Sequence, residues 1–246
     1  MISTDEGAAL RASGGDAAVR PSPALVAVCG FASNVGKTTL VCELLGALAG
    51  WEAIKITRGH YRSCGKDPHA CCVSHLLGTE PLVRTGRAET YAPGKDTGRY
   101  WDAGASEVHW LIATSAQVCV GVRRALSRVR AQGVVVEGTS FLELVEADFA
   151  IMVARAEGGH VKPTARRALR KCSAIFLSDE SGDPEAARAR FAAWARTSPD
   201  RELVESLPVY TRDDLPRLVA LVNESCARAK RAAPYEAHDA ERATVV

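Results

Sequence analysis

Apolar residues in this chain fall into short continuous runs separated by longer stretches with helical spacing. Residues 24–29 form an apolar run that ends at Gly30, as expected of a strand buried on both faces of a parallel sheet. Over residues 37–49, Leu40, Val41, Leu44, Leu45 and Leu48 recur at the spacing of a helix with one apolar face. Further strands are predicted at 53–57, 108–113, 134–136, 149–153 and 174–177, with a short one at 207–210. Helices are predicted at 97–103, along Val118, Val122, Leu126 and Val129, and at 184–196 and 215–230. Residues 58–94 are rich in Gly, Pro, Cys and His and read as mostly irregular, apart from one short helix at 73–77.

Strands alternating with helices predict an α/β fold, with a mainly parallel sheet covered by helices on both faces. Ligands of such sheets bind beyond the carboxyl ends of the strands, where Gly30, Thr57, Glu137 and Asp179 fall. The pattern fits one domain over residues 24–233, with a Cys/His-rich insertion at 60–75. Residues 1–23, rich in Ala, Gly and Ser, read as a disordered leader, and residues 234–246 as a mobile tail.

The junction of the first strand and first helix carries the clearest chemistry. It reads Gly30-Phe31-Ala32-Ser33-Asn34-Val35-Gly36-Lys37-Thr38-Thr39, a phosphate-binding P-loop with five residues between its glycines. Gly36 allows close backbone approach, and successive backbone N–H groups at the helix start face an anion. Lys37 supplies a point charge for the β- and γ-phosphates, and Thr38 a hydroxyl for Mg²⁺, with Thr39 beside it. The apolar run Val134-Val135-Val136 ends in Glu137, a carboxylate placed to hold Mg²⁺ or to orient an attacking water. The architecture expected is therefore that of a P-loop NTPase binding GTP or ATP.

Composition narrows this little. Lys and Arg number 31 against 29 Asp and Glu, and a formal net charge of +2 gives no reason to expect a nucleic-acid or membrane partner. No apolar run approaches the ~20 residues needed to span a bilayer, and no secretory signal is evident, so a cytoplasmic location is expected. Neither a Gly-x-Ser-x-Gly elbow nor a His-Glu-x-x-His helix occurs. Trp101 and Trp110 are expected to pack in the core. Lys162, Arg166, Arg167, Arg170 and Lys171 make a basic helical patch, read first as a solvated face.

Of eight cysteines, Cys29, Cys42, Cys119, Cys172 and Cys226 lie singly in apolar or helical contexts, as small buried hydrophobes do. Residues 60–75 differ. They hold His60, Cys64, His69, Cys71, Cys72 and His75, and Cys64, Cys71, Cys72 and His75 offer four ligands for Zn²⁺ or an iron–sulfur cluster. The competing reading is free thiols packed under a loop.

The loop at 32–40, Lys55-Ile56-Thr57, Gly94-Lys95-Asp96-Thr97, Ala103-Gly104-Ala105 and Val136-Glu137-Gly138 occur in an order that resembles the MobB family of molybdopterin-guanine dinucleotide biosynthesis. The resemblance covers about residues 24–179. It implies a GTP-binding, slowly hydrolysing, Mg²⁺-dependent accessory protein of molybdenum cofactor biosynthesis, often dimeric, that assists a cofactor-assembly partner. It also implies that Asp96 and Glu137 are the acidic groups around the metal and that Lys55 approaches the phosphates or a bound pterin. Asp179 would then accept from a guanine edge. The five-residue spacing of the loop instead resembles dethiobiotin synthetase and the cobyric-acid-type amide synthases, which implies an ATP-dependent synthetase. A third reading is an NTPase whose Cys/His loop senses metal.

Overall fold

The computed structural model describes residues 22–59, 73–179 and 181–232. An eight-stranded sheet carries the fold, and all but one of its strand pairings are parallel. The strands are β1 (Ala24–Gly30), β2 (Glu52–Arg58), β3 (Leu82–Thr85), β4 (Val108–Ala113), β5 (Gly133–Glu137), β6 (Phe149–Arg155), β7 (Ala174–Ser178) and β8 (Val209–Tyr210). Their order across the sheet is β3-β4-β2-β5-β1-β6-β7-β8. β1 pairs with β5 on one side and β6 on the other; the chain leaves β1 toward β2 but leaves β6 the opposite way, toward β7, so the direction of travel reverses between these neighbouring strands. In open α/β sheets a crevice forms at such a reversal, and here the phosphate loop enters it.

Helices cover both faces because the central strands are apolar on both. On one face α1 (Lys37–Ala47), α3 (Asp96–Asp102) and α8 (Leu215–Ala232) bury Leu40, Leu44, Tyr100, Leu218 and Val222 against Val26, Val28, Val135 and Ile151. On the other, α4 (Val118–Leu126), α5 (Pro163–Leu169), α6 (Pro184–Thr197) and α7 (Arg201–Glu205) bury Val122, Leu169, Phe191 and Val204 against Ile54, Val136, Met152 and Ile175. The α/β class predicted from the pattern is the one observed.

The predicted strands and helices recur with ends unchanged or moved by up to three residues, except that 207–210 shortens to the two residues of β8. The stretch expected to be mostly irregular, 58–94, is a correction. It contains β3, antiparallel to β4 at the sheet edge, and the one-turn helix α2 (Arg87–Thr90). The short helix expected at 73–77 is a 3-10 turn at Ser74–Leu76. The expected leader, apart from positions 22 and 23, and the expected tail lie outside the described residues, as do His60, Cys64, His69, Cys71 and Cys72 of the Cys/His-rich insertion.

Candidate functional site

The loop between β1 and α1 is fixed from several sides. Phe31 is fully buried against Phe191 and Trp194 of α6, with ring centroids 6.3 and 5.5 Å away. Asn34 has φ of 58° and Gly36 φ of 91°; Asn tolerates this left-handed region and Gly enters it freely. A Cβ on Gly36 would also lie 2.4 Å from Ser178 Oγ. Arg155 donates to the Asn34 carbonyl at 2.9 Å, and Lys162 Nζ to Ser33 Oγ at 2.8 Å. No side chain caps the N-terminus of α1, so its first N–H groups are left for an anion. Lys37 Nζ folds back onto the Ala32 carbonyl at 3.2 Å. Burial holds the Lys37 ammonium below its ordinary value, with Lys55 and Lys162 acting in the same sense against the pull of Glu137.

Beside the loop, side chains from four elements converge. Thr38 Oγ1 of α1 lies 3.1 Å from Asp96 Oδ1 of α3 and 2.9 Å from Glu137 Oε2 of β5. Lys55 of β2 sits between the same carboxylates, 2.6 Å from Asp96 Oδ2 and 2.5 Å from Glu137 Oε1. Glu137 is buried, and the buried Tyr100 hydroxyl donates to its Oε2. Desolvation pulls the Asp96 carboxyl upward, but the hydrogen bond and charge of Lys55, the Thr38 hydroxyl and Arg99 together hold it below the usual carboxylate range. Burial, then the Glu137 charge, push the Tyr100 phenol well above its ordinary value, so it stays a donor.

A hydroxyl carries one hydrogen, so Thr38 serves one carboxylate at a time. A cation in that corner would be met by three oxygen donors, the type Mg²⁺ takes. The residues therefore fit Mg²⁺. Among the described residues no group of three or more His, Cys, Asp or Glu side chains is placed to hold a metal by itself.

A cavity of about 480 Å³ opens over this cluster and contains the whole predicted phosphate set: Gly30, Ser33, Asn34, Val35, Gly36, Lys37, Thr38, Thr39, Lys55, Asp96 and Glu137. Asp179 is not among them. It lines a second cavity of about 420 Å³, which shares Gly36 and Thr39 with the first and runs between α1, the end of β7 and residues 211–213. Its carboxylate accepts from Ser181 and, at 2.9 Å, from Arg190, and these partners hold it below its ordinary value. His75 is exposed in its 3-10 turn.

Sequence reasoning missed Tyr100, Arg99, Thr139 and Ser178, and read Lys162 first as part of a solvated basic face. Tyr100 was discoverable, because it lies four residues after Asp96 and so on the same helix face. Thr139 Oγ1 accepts from Gly30 N–H at 3.2 Å, and Arg99 donates to Thr39 Oγ1 at 3.2 Å. The basic patch divides among separate partners: Lys162 meets the loop, Arg166 pairs with Asp200 and Arg167 with Glu143. Trp101 and Trp110 are only partly buried, their indole N–H groups donating to Thr90 and Thr57, each at 2.9 Å.

The sheet, the loop at its reversal point and the helix that follows define the class: this is a P-loop NTPase fold. Among solved structures, HypB from Helicobacter pylori in complex with nickel matches with a TM-score of 0.50 and 11% identity, over 85% of this chain and 90% of that one. LpxK from Aquifex aeolicus in complex with ATP gives a TM-score of 0.41 and 14% identity, over 66% and 50%. A zinc-bound triple mutant of the YjiA GTPase gives 0.38 and 15%, over 77% and 57%. No protein-family model and no curated protein matches the chain. No helix of the described residues is long and apolar enough to cross a membrane.

Proposed function

We propose that this protein binds a magnesium nucleoside triphosphate, GTP or ATP, and turns it over slowly as an accessory factor of the MobB kind in molybdenum cofactor assembly. The observation that carries the nucleotide reading is the meeting of Thr38, Asp96 and Glu137 beside the loop that presents Lys37. In this reading Lys37 and the N–H groups of α1 hold the phosphates, and Thr38, Asp96 and Glu137 hold Mg²⁺. Bound there, Mg²⁺ supplies charge neutralisation for the phosphates. The second cavity, sharing Gly36 and Thr39, takes the nucleoside, with Asp179 at its rim.

Slow turnover follows from the state of Glu137. A general base needs a free acceptor position facing the water it deprotonates. Glu137 already accepts from Tyr100 and Lys55 and shares the Thr38 hydroxyl, so it is a poor base. Such a protein acts through its nucleotide-bound shape on a partner, a cofactor-assembly protein or a second copy of itself. The test is nucleotide affinity and turnover with and without a candidate partner enzyme. Turnover that is fast with a small acid and no protein present would instead establish the synthetase reading.

The metal-sensing reading is favoured by one placement. The Cys/His-rich stretch begins directly after Arg58 and Gly59, at the end of β2, and Arg58 lines the phosphate cavity. Metal analysis of anaerobically purified protein tests it: stoichiometric zinc or iron supports this reading, and protein without metal removes it.

A further inference from the structure

The lysines that line the phosphate cavity are not equally paired. Lys55 meets Asp96 and Glu137, whereas Lys37 and Lys162 rest on neutral oxygens of successive loop residues. Lys37 Nζ donates to the Ala32 carbonyl at 3.2 Å and Lys162 Nζ to the Ser33 hydroxyl at 2.8 Å. Among the described residues no carboxylate pairs with Lys162, while Arg166 and Arg167 of the same basic patch each meet one. The Lys162 backbone N–H also donates to the Phe31 carbonyl at 3.0 Å, so residue 162 is tied to the loop by main chain and side chain alike. Lys162 and Ser33 are both exposed and both line the cavity, which puts the ammonium on its open side.

Positive charge therefore stands on both flanks of the loop strand. Lys55 and Glu137 come from β2 and β5 on one side of β1, and Lys162 follows β6 on the other. A terminal phosphate held by Lys37, and by Mg²⁺ at the Thr38 corner, thus has Lys162 on its opposite flank. The charge of Lys162 contributes to holding the Lys37 ammonium below its ordinary value, so the two cations already act on each other across the loop. An anion between them relieves that repulsion.

The Ser33 hydroxyl is a replaceable partner. A phosphate oxygen makes a stronger, charge-assisted bond to an ammonium, and the flexible four-carbon stem of Lys lets Nζ swing to it while water takes over the exposed hydroxyl. The inner phosphates are wrapped by loop N–H groups and the start of α1, so the outermost phosphate is the one open to a cation from another element.

We propose that Lys162 is the residue that reads the third phosphate: it leaves Ser33 to bind the terminal phosphate of a nucleoside triphosphate and stays on Ser33 when a diphosphate is bound. The proposal rests on the reading of the cavity as a nucleotide phosphate site. A lysine that only braced the loop through Ser33 would serve both nucleotides alike.

The test is calorimetric titration, with magnesium, of GDP, ADP and the β,γ-imido triphosphates of guanosine and adenosine into the unaltered protein, Lys162→Met and Lys162→Arg. The quantity read is the ratio of triphosphate to diphosphate affinity for whichever base binds. Lys162→Met should lower that ratio about tenfold or more, as loss of a charge-assisted hydrogen bond does, with diphosphate affinity within about twofold and Lys162→Arg recovering part of the loss. A ratio unchanged in Lys162→Met overturns the proposal: two unchanged affinities leave Lys162 without a phosphate role, and two that fall together make it a brace of the loop. No nucleotide binding by the unaltered protein overturns the assignment of the cavity, and the role of Lys162 with it.

Discussion

Lys55 Nζ lies 2.5 Å from Glu137 Oε1, so a cation from β2 clasps the buried carboxylate that ends β5. Removing Lys55 leaves that buried carboxylate without its charge partner. Lys55→Met should therefore lower stability by about 3 kcal/mol, the usual result of breaking a buried pair from one side. Denaturant unfolding of the two proteins without nucleotide measures it.

Tyr100→Phe removes a donor and leaves the ring packing in place. The expected loss is about 1–2 kcal/mol of stability, since Glu137 Oε2 then lacks one partner. Glu137 also becomes freer to accept from water, so basal turnover should rise in the same variant. Unfolding and phosphate-release assays check the two effects together.

Gly36 is constrained twice, by its φ of 91° and by Ser178 over its α-carbon. Gly36→Ala should cost about 1–3 kcal/mol and abolish nucleotide binding. Adding Ser178→Gly relieves the contact but not the dihedral, so the double variant should recover only part of the stability. Thermal unfolding of both variants measures this.

The strands around this site were legible because β1, β5, β6 and β7 are continuous apolar runs with both faces covered. β3 was not, since only Val83 of its four residues is buried and it pairs at the sheet edge with β4 alone. α5 was visible only as a basic patch, because Ala165 and Ala168 supply much of its buried face and carry little hydrophobic signal. Lys37 and Thr38 were legible in the loop motif, Glu137 at the end of an apolar strand and Asp96 only through the MobB resemblance, and the structure brings them together. Ser178 was not legible, and Lys162 was legible only as part of a basic patch, because no local pattern records which side chains reach a loop from other elements. Asp179 was correctly placed at a strand end, but its pairing with Arg190 depends on α6 packing that its own sequence neighbourhood does not encode.

The Asp96 carboxyl lies below its ordinary value, so the folded state favours its charged form. The stabilisation is present above the unfolded value of about 3.9 and is lost as pH falls through the depressed folded value. The stability difference between the unaltered protein and Asp96→Asn should be constant from about pH 7 to 5 and shrink below about pH 4. Denaturant unfolding over that range checks the sign.

The central claim is that Gly30 to Thr39 hold a nucleoside triphosphate through Lys37 and Mg²⁺. Calorimetric titration of GTP and of ATP into the protein and into Lys37→Ala, with and without magnesium, tests it most directly. The account predicts magnesium-dependent binding of at least one nucleotide, weakened about a hundredfold or more by Lys37→Ala, in keeping with loss of a buried charged contact to phosphate. Binding of neither nucleotide, or equal binding by Lys37→Ala, would contradict it.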